Sequence, residues 1–156
     1  MRLLIFLLLL GPLTQAFAEK PFPKEAKFPG LEGGEITAAE FAGHYTVVQF
    51  FGSWCTSCKH NFLTAAKAAE RHHAKFVPIS LDSSLPLAKS FFKTSPDVIK
   101  PFEKQSYLDK NGEIAKKLGV GGPSILVLDS EGRIVHIATG HLGGTDLAQL
   151  EAALRP

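Results

Sequence analysis

The 156-residue sequence has few cysteines and no concentration of charge of one sign, and each shortage excludes a class of protein. Two cysteines cannot make a disulfide-rich scaffold, and they supply at most half of a four-thiolate zinc site. Seventeen Lys and Arg against fifteen Asp and Glu give a formal net charge of +2 without a basic block, which argues against nucleic-acid binding. The composition, 45% hydrophobic and 21% charged, is that of one folded domain and excludes a disordered or coiled-coil chain.

The first eighteen residues have the pattern of a secretory signal peptide. Met1-Arg2 precede an unbroken apolar run, Leu3 to Leu10, and the triplet Ala16-Phe17-Ala18 ends the segment. A short positive start, an apolar stretch of fewer than ~15 residues and an A-x-A ending are typical of such peptides. We therefore expect a signal peptide over residues 1–18 and a periplasmic or secreted domain over residues 19–156. An uncleaved amino-terminal membrane anchor is the alternative.

Segments with strand and helix patterns alternate along the rest of the chain. Residues 19–34 contain prolines and glycines among charges, which predicts an extended lead-in to the domain. The run from Tyr45 to Phe51 is β-branched and aromatic, as in a central strand buried on both faces. The other expected strands are residues 76–81, 124–128 and 133–139, and the expected helices are one after Cys58, residues 85–93, residues 113–118 and a last helix capped by Thr145 or Asp146. This order predicts an α/β fold with a mixed central β-sheet and helices on both faces.

The two cysteines stand in the sequence Trp54-Cys55-Thr56-Ser57-Cys58, where the buried strand gives way to a helix. A thiolate at a helix N-terminus faces unpaired N–H groups and the positive end of the helix dipole, which lowers the pKa of such a thiol. With two residues between the cysteines, the first sulfur stays exposed and the second lies one turn deeper. Cys55 can then attack a substrate disulfide, and Cys58 can resolve the mixed disulfide.

Other uses of the pair compete with this redox interpretation. A structural disulfide at this spacing closes a loop too short to contribute much stability. A metal half-site needs further ligands, and His60, His72 and His73 are nearby only in sequence. A copper(I) metallochaperone would suit two soft thiolates, but the chain contains a single Met. Covalent haem is excluded, because Lys59 stands where C-x-x-C-H attachment requires His.

Two longer segments point to a family when they are taken together. One is Val47 to Lys59, which contains W-C-x-x-C, and the other is Gly119 to Val135, with a proline before a strand and an Asp-x-x-Gly-Arg-Ile hairpin. Both resemble the thioredoxin superfamily, and more closely its exported TlpA/ResA-like branch of thiol-disulfide oxidoreductases. The resemblance covers about residues 29–154 and implies a thioredoxin-like fold.

The resemblance also implies roles for residues outside the cysteine pair. Pro123 would be a cis-proline opposite the cysteines that helps to present a substrate chain. Trp54 and Gly122 are further candidates for contact with substrate, with packing against the sheet as the alternative for Trp54. Gly122 replaces the Thr or Ile usual before the proline. Family members often place a buried acid near the second cysteine, but Gln49 and Asn61 occupy the two expected positions. We therefore expect the second thiol to lack a carboxylate helper.

These observations favour a thiol-disulfide oxidoreductase that exchanges a Cys55–Cys58 dithiol or disulfide with protein thiols and disulfides. The resemblance favours a reductase and implies a membrane redox partner that donates or accepts electrons. No bound cofactor is needed, because the dithiol itself holds the electrons. The alternative is a copper(I) metallochaperone or binding module that uses the same two thiols.

We predict that the exported protein begins at Glu19, because the A-x-A triplet ends at Ala18. The intact mass of the protein recovered from the exported fraction should be that of residues 19–156. A mass that still includes Met1 to Ala18 would show an uncleaved anchor instead.

Overall fold

The structure, a computed structural model, describes residues 20–156, and a six-stranded mixed sheet forms its centre. The strands of the described chain are β1 (Lys20–Pro21), β2 (Lys27–Pro29), β3 (Glu35–Thr37), β4 (Thr46–Phe51), β5 (Lys75–Ser80), β6 (Tyr107–Leu108), β7 (Ser124–Leu128) and β8 (Arg133–Thr139). The order in the sheet is β1-β8-β7-β4-β5-β6, while β2 and β3 form a separate hairpin. β4 pairs in parallel with β5 and antiparallel with β7, so it lies in the middle of the sheet.

Helices connect these strands. The α-helices of residues 20–156 are α1 (Thr56–Arg71), α2 (Leu85–Lys93), α3 (Glu113–Leu118) and α4 (Gly144–Ala153). Short 3₁₀ segments cover Ala38–Phe41, Lys100–Gln105 and Lys110–Gly112. None of the helices in the described part of the chain combines the length and the apolar character needed to cross a bilayer.

The alternating side chains of β4 divide the core between the two faces of the sheet. Val48 and Phe50 join a buried cluster that includes residues of α3 and of the chain before β4. Val47 and Phe51 join clusters that contain residues of α1, α2 and α4. All six residues of β4 are buried, as expected for a strand with neighbours on both edges and helices on both faces. The predicted α/β fold with a mixed sheet and helices on both faces is confirmed.

An aromatic cluster fills the space between β4, α1 and α2. Phe51 and Phe62 meet at 5.8 Å between ring centroids, in an edge-to-face arrangement. Phe91 and Phe92 of α2 contact both of these rings. Such pairs add about 0.5–1.5 kcal/mol each beyond the burial of their surface. The cluster therefore supports the first turns of α1 with closely packed aromatic side chains.

The chain before β3 is extended, as its prolines predict, but it is bound to the domain rather than leading loosely into it. β1 pairs with β8 and forms one edge of the sheet, and β2 forms its hairpin with β3. Phe22 and Phe28 from this segment are buried in the core. The proposed signal peptide, residues 1–18, lies outside the described residues.

The start of α4 differs from its prediction. The N-cap residue is Gly143 and the helix begins at Gly144, so neither Thr145 nor Asp146 is the cap. The reason is a contact made far away in the sequence, because the backbone N–H of Leu142 donates to Asn61 on α1. That hydrogen bond holds the chain just before Gly143, and the helix starts from there.

The topology brings three loops together at one edge of the sheet. In the ladder, Phe51 of β4 lies opposite Ser80 of β5, and Phe50 lies opposite Ser124 of β7. The loops that follow β4 and β5 therefore meet the loop that precedes β7. The cysteine sequence and Pro123 belong to two of these loops.

Candidate active site

The Cys55–Cys58 pair lies where β4 gives way to α1, and it forms a disulfide. Cys55 is the N-cap residue of α1, and Cys58 follows in the first turn. Their Cα atoms are 5.4 Å apart. Cys58 is 1% exposed, whereas Cys55 is half-buried. Cys55 is therefore the cysteine that a partner can approach.

The N-terminus of α1 provides the electrostatic setting of Cys55. The first turn contains no acidic residue, and no side chain caps it. The hydroxyl of Ser57 lies 3.6 Å from the Cys55 sulfur and donates to it, because a disulfide sulfur carries no hydrogen. The free N–H groups and the dipole of the helix favour negative charge at this end. A thiolate on Cys55 would therefore be stabilised.

A pocket of about 190 Å³ opens beside the disulfide. Both cysteines line it, together with Pro123, which stands directly before β7. The amide side chains of Gln49 and Asn61 are also in its wall. The pairing of β4 with β7 thus brings the sequence-predicted proline to the cysteine pair.

The peptide bond that precedes Pro123 is trans, because the described residues contain no cis peptide bond. The cis geometry implied by the family resemblance is therefore wrong for this structure. Trans is intrinsically favoured in X–Pro bonds by about 0.5–1 kcal/mol, so contacts must enforce cis. A side chain at position 122 would not supply such a contact through its Cβ, since a Cβ placed on Gly122 would have no atom within 4 Å.

Trp54 and Gly122 line a second pocket, of about 120 Å³. Trp54 is 59% exposed, and its indole lies against Gly52, where an added Cβ would come within 2.5 Å of the ring. Lys116 of α3 is a charged residue in the wall of this pocket. Pro123 lines the first pocket and its chain neighbour Gly122 lines the second, so the three candidate substrate-contacting residues border these two pockets.

The two amides near Cys58 make hydrogen bonds where the resemblance expects an acid. Nε2 of Gln49 donates to the carbonyl oxygen of Cys58 over 3.3 Å, while its buried Oε1 has no partner among the described residues. Asn61 donates from Nδ2 to the Gly140 carbonyl over 2.7 Å and accepts from the Leu142 N–H over 2.8 Å. Asn61 therefore ties α1 to the loop before α4, and Gln49 leaves one neutral acceptor unused beside the cysteines.

A buried carboxylate that no sequence motif indicated lies next to the cysteine loop. Asp82 is 2% exposed and accepts hydrogen bonds from the backbone N–H and the hydroxyl of Ser53. The available signal was its position shortly after a buried strand that runs parallel to β4. The carboxyl ends of parallel strands share one sheet edge, which places Asp82 near the W-C-x-x-C loop.

A histidine pair also lies beside the site. The rings of His60 and His141 are stacked, with 4.5 Å between their centroids. No spacing in the sequence indicates this contact, because the residues belong to distant segments. Within residues 20–156, no group of three or more His, Cys, Asp or Glu side chains could hold a metal ion.

Comparison with known proteins agrees with this arrangement. A family model described as Redoxin matches residues 17–154. The thiol-disulfide oxidoreductase ResA of Bacillus thuringiensis subsp. konkukian is 27% identical over 153 residues, which cover 89% of this chain and 86% of that protein. The thiol:disulfide interchange protein DsbE of Allochromatium vinosum is 26% identical over 143 residues, which cover 88% and 76%. A crystal structure of a candidate DsbE from Chlorobium tepidum has a TM-score of 0.72 at 23% identity, covering 88% of this chain and 97% of that one.

The fold is thioredoxin-like, and the cysteine pair at the start of α1 together with the named relatives defines a thiol-disulfide oxidoreductase. The chain belongs to the redoxin family.

Proposed function

We propose that the protein reduces disulfides of other proteins in an exported compartment, with Cys55 as the nucleophile and Cys58 as the resolving thiol. The observation that carries this proposal is the unequal exposure of the two cysteines. Cys55 is accessible at the N-terminus of α1, and Cys58 is enclosed one turn further on. Only the first can meet a disulfide on a protein surface, and only the second is held close enough to complete the reaction intramolecularly.

The proposed reaction has two thiol-disulfide exchanges. The Cys55 thiolate attacks one sulfur of a substrate disulfide, a mixed disulfide forms, and the first substrate sulfur leaves as a thiolate that takes up a proton. The Cys58 thiol then loses its proton and attacks the Cys55 sulfur, which releases the second substrate sulfur and forms the Cys55–Cys58 disulfide. Two electrons have passed to the substrate, and a dithiol partner must return two to the protein. We propose a membrane-bound redox protein as that partner.

Trp54, Gly122 and Pro123 are proposed to contact the substrate chain. They border the two pockets around Cys55, and Trp54 presents a largely exposed indole. Gly122 has open space where a side chain would project, so a substrate backbone can approach it closely. The region carries little charge, with Lys116 as a cation in its wall, which favours recognition by shape and backbone contact.

The surroundings of Cys58 support the reducing direction. Cys58 belongs to the buried cluster that contains Phe51 and Phe62, and burial among apolar groups disfavours a thiolate. The neighbouring cation, Lys59, is bound to the carbonyl and hydroxyl oxygens of Thr94, at 2.7 and 3.1 Å. Dithiols with a strongly stabilised reduced form are oxidants. The helix end stabilises a Cys55 thiolate and so the reduced form, but little stabilises charge at Cys58. We propose that the first effect alone leaves the dithiol a reductant.

Trapping of partners tests the assigned roles of the cysteines. Cys58→Ser should accumulate mixed disulfides with partner proteins, because its Cys55 can attack but nothing resolves the product. Cys55→Ser should accumulate few, because its remaining thiol is enclosed. Non-reducing electrophoresis and mass spectrometry would compare both with the double Ser variant as background. Equal trapping by the two single variants would contradict the assignment.

The reduction potential of the Cys55–Cys58 pair tests the direction. Equilibration with a redox buffer of known potential should place it near the value of about −270 mV found for thioredoxin. A value near the −120 mV or so of the strongest oxidants in this superfamily would instead show a protein that introduces disulfides.

The pH dependence of the second exchange tests the neutral surroundings of Cys58. With amides at both expected acid positions, resolution should depend on a thiol-like pKa, about 8.5 for an ordinary cysteine, and should slow as pH falls below it. Gln49→Glu adds a carboxylate to the cysteine pocket and should speed resolution near neutral pH. Gln49 is the better position for this change, because Asn61 is occupied by two backbone contacts.

Stopped-flow measurement of mixed-disulfide decay would provide these rates. Gln149→Glu, on the exposed surface of α4, is the matched control for the added charge. A carboxylate-like pKa already governing resolution in the unaltered protein would show that another acid serves Cys58.

A further inference from the structure

Asp82 is a buried carboxylate without an ion pair among the described residues. It is 2% exposed, although burial of an ionised carboxylate is expensive unless hydrogen bonds compensate. It lies two residues beyond the end of β5, at the sheet edge that carries the cysteine loop. A buried carboxylate beside the cysteine loop is expected to have a structural or functional role, which its hydrogen-bond partners indicate.

Three donors converge on this carboxylate. The backbone N–H of Ser53 donates to Oδ2 over 3.0 Å, and the Ser53 hydroxyl donates to Oδ1 over 2.7 Å. The hydroxyl of Ser80 donates to Oδ2 over 2.7 Å. Asp82 thus binds both the main chain and the side chain of Ser53. Two contacts fix the position of a loop residue more firmly than a single contact.

Ser53 lies inside the turn that delivers Cys55. The N–H of Cys55 donates to the carbonyl oxygen of Gly52 over 3.0 Å, which closes the turn around Ser53 and Trp54. The Trp54 indole rests against Gly52 on the same turn. Any displacement of Ser53 therefore moves Cys55 relative to the N-terminus of α1 and moves Trp54 with it.

The backbone of Asp82 also binds a residue that lines the pocket of Trp54. Its carbonyl oxygen accepts from the N–H of Asn111 over 3.1 Å. Asn111 lines the pocket of Trp54 and lies two residues before the start of α3. One residue thus connects the loop that carries Cys55 with the wall that faces Trp54.

We propose that Asp82 is a positioning residue for Cys55, which it serves by holding Ser53 so that the Cys55 sulfur stays at the N-terminus of α1. This role rests on the proposed function of Cys55 as nucleophile. Asp82 acts through its hydrogen bonds and not through its charge. Both carboxylate oxygens already accept hydrogen bonds from Ser53 or Ser80, so the contribution of Asp82 is geometric.

Substitution of Asp82 separates geometry from charge. Asp82→Ala removes all three hydrogen bonds and should slow alkylation of reduced Cys55 by iodoacetamide at neutral pH about tenfold, since a sulfur displaced from the N-terminus of α1 loses the stabilisation of its thiolate. Asp82→Asn can keep the two contacts of Oδ2 through its carbonyl oxygen, and its NH₂ can donate to the Ser53 hydroxyl. It should therefore retain the rate within about threefold. The midpoint of the alkylation pH profile should rise in the Ala variant and much less in the Asn variant.

Asp129→Ala is the matched control. Asp129 is also a buried aspartate, 6% exposed, that accepts from the N–H groups of Glu131 and Arg133. It lies at the end of β7 remote from Pro123, so its loss should lower stability without changing the alkylation rate of Cys55. Thermal unfolding of every variant separates stability from reactivity.

Several results would overturn the proposal. A normal Cys55 rate in Asp82→Ala would exclude a positioning role, and an Asn variant as slow as the Ala variant would assign the effect to charge. If Asp82→Ala does not fold, hydrogen exchange at the Ser53 amide of the unaltered protein decides, because an unprotected amide contradicts the contact. Peptide mapping of the alkylated protein distinguishes a different failure, since labelling of Cys58 before Cys55 would overturn the proposed function itself.

Discussion

The candidate site depends on β4 being hydrogen-bonded along both edges and buried on both faces. This strand cannot slide or tilt without breaking two ladders and two parts of the core. Its end at Phe51 therefore has a defined position in space, and the turn that follows starts from a rigid support. The parallel partner β5 brings Asp82 to that turn, and the antiparallel partner β7 brings Pro123. Two strand pairings thus assemble a site from segments that are distant in sequence.

Much of this arrangement could be predicted from the sequence, because its central elements have strong local signals. The apolar run that forms β4 and the W-C-x-x-C motif at the start of α1 locate the cysteine pair without a structure. The elements that escaped prediction are too short or depend on distant contacts. β1 and β6 contain two residues each, which is too few to show a period. The cap of α4 follows a residue, Leu142, whose backbone N–H donates to Asn61, and the isomer before Pro123 is a property of the loop around it.

The two sulfurs of the pair have opposite surroundings although they are separated by one helical turn. Cys55 lies at a helix end with free N–H groups and no nearby acid in the first turn. Cys58 lies on the phenylalanine cluster, beside two amides that can form hydrogen bonds but cannot titrate. Asp82, the buried acid nearest in the fold to the cysteine loop, has its carboxylate directed to Ser53 and Ser80. This division favours charge on the outer sulfur and neutrality on the inner one.

Trp54 is the single tryptophan of the whole sequence, and it precedes the disulfide directly. Its indole is held against Gly52 on the turn that carries Cys55, so its distance from the cysteine pair is set by the fold. A disulfide accepts electrons from an excited indole, whereas two thiols do so less effectively. The tryptophan emission of this protein therefore comes from one position and depends on whether the Cys55–Cys58 disulfide is intact. The redox state of the cysteine pair can therefore be followed by tryptophan fluorescence, without a label or an added dye.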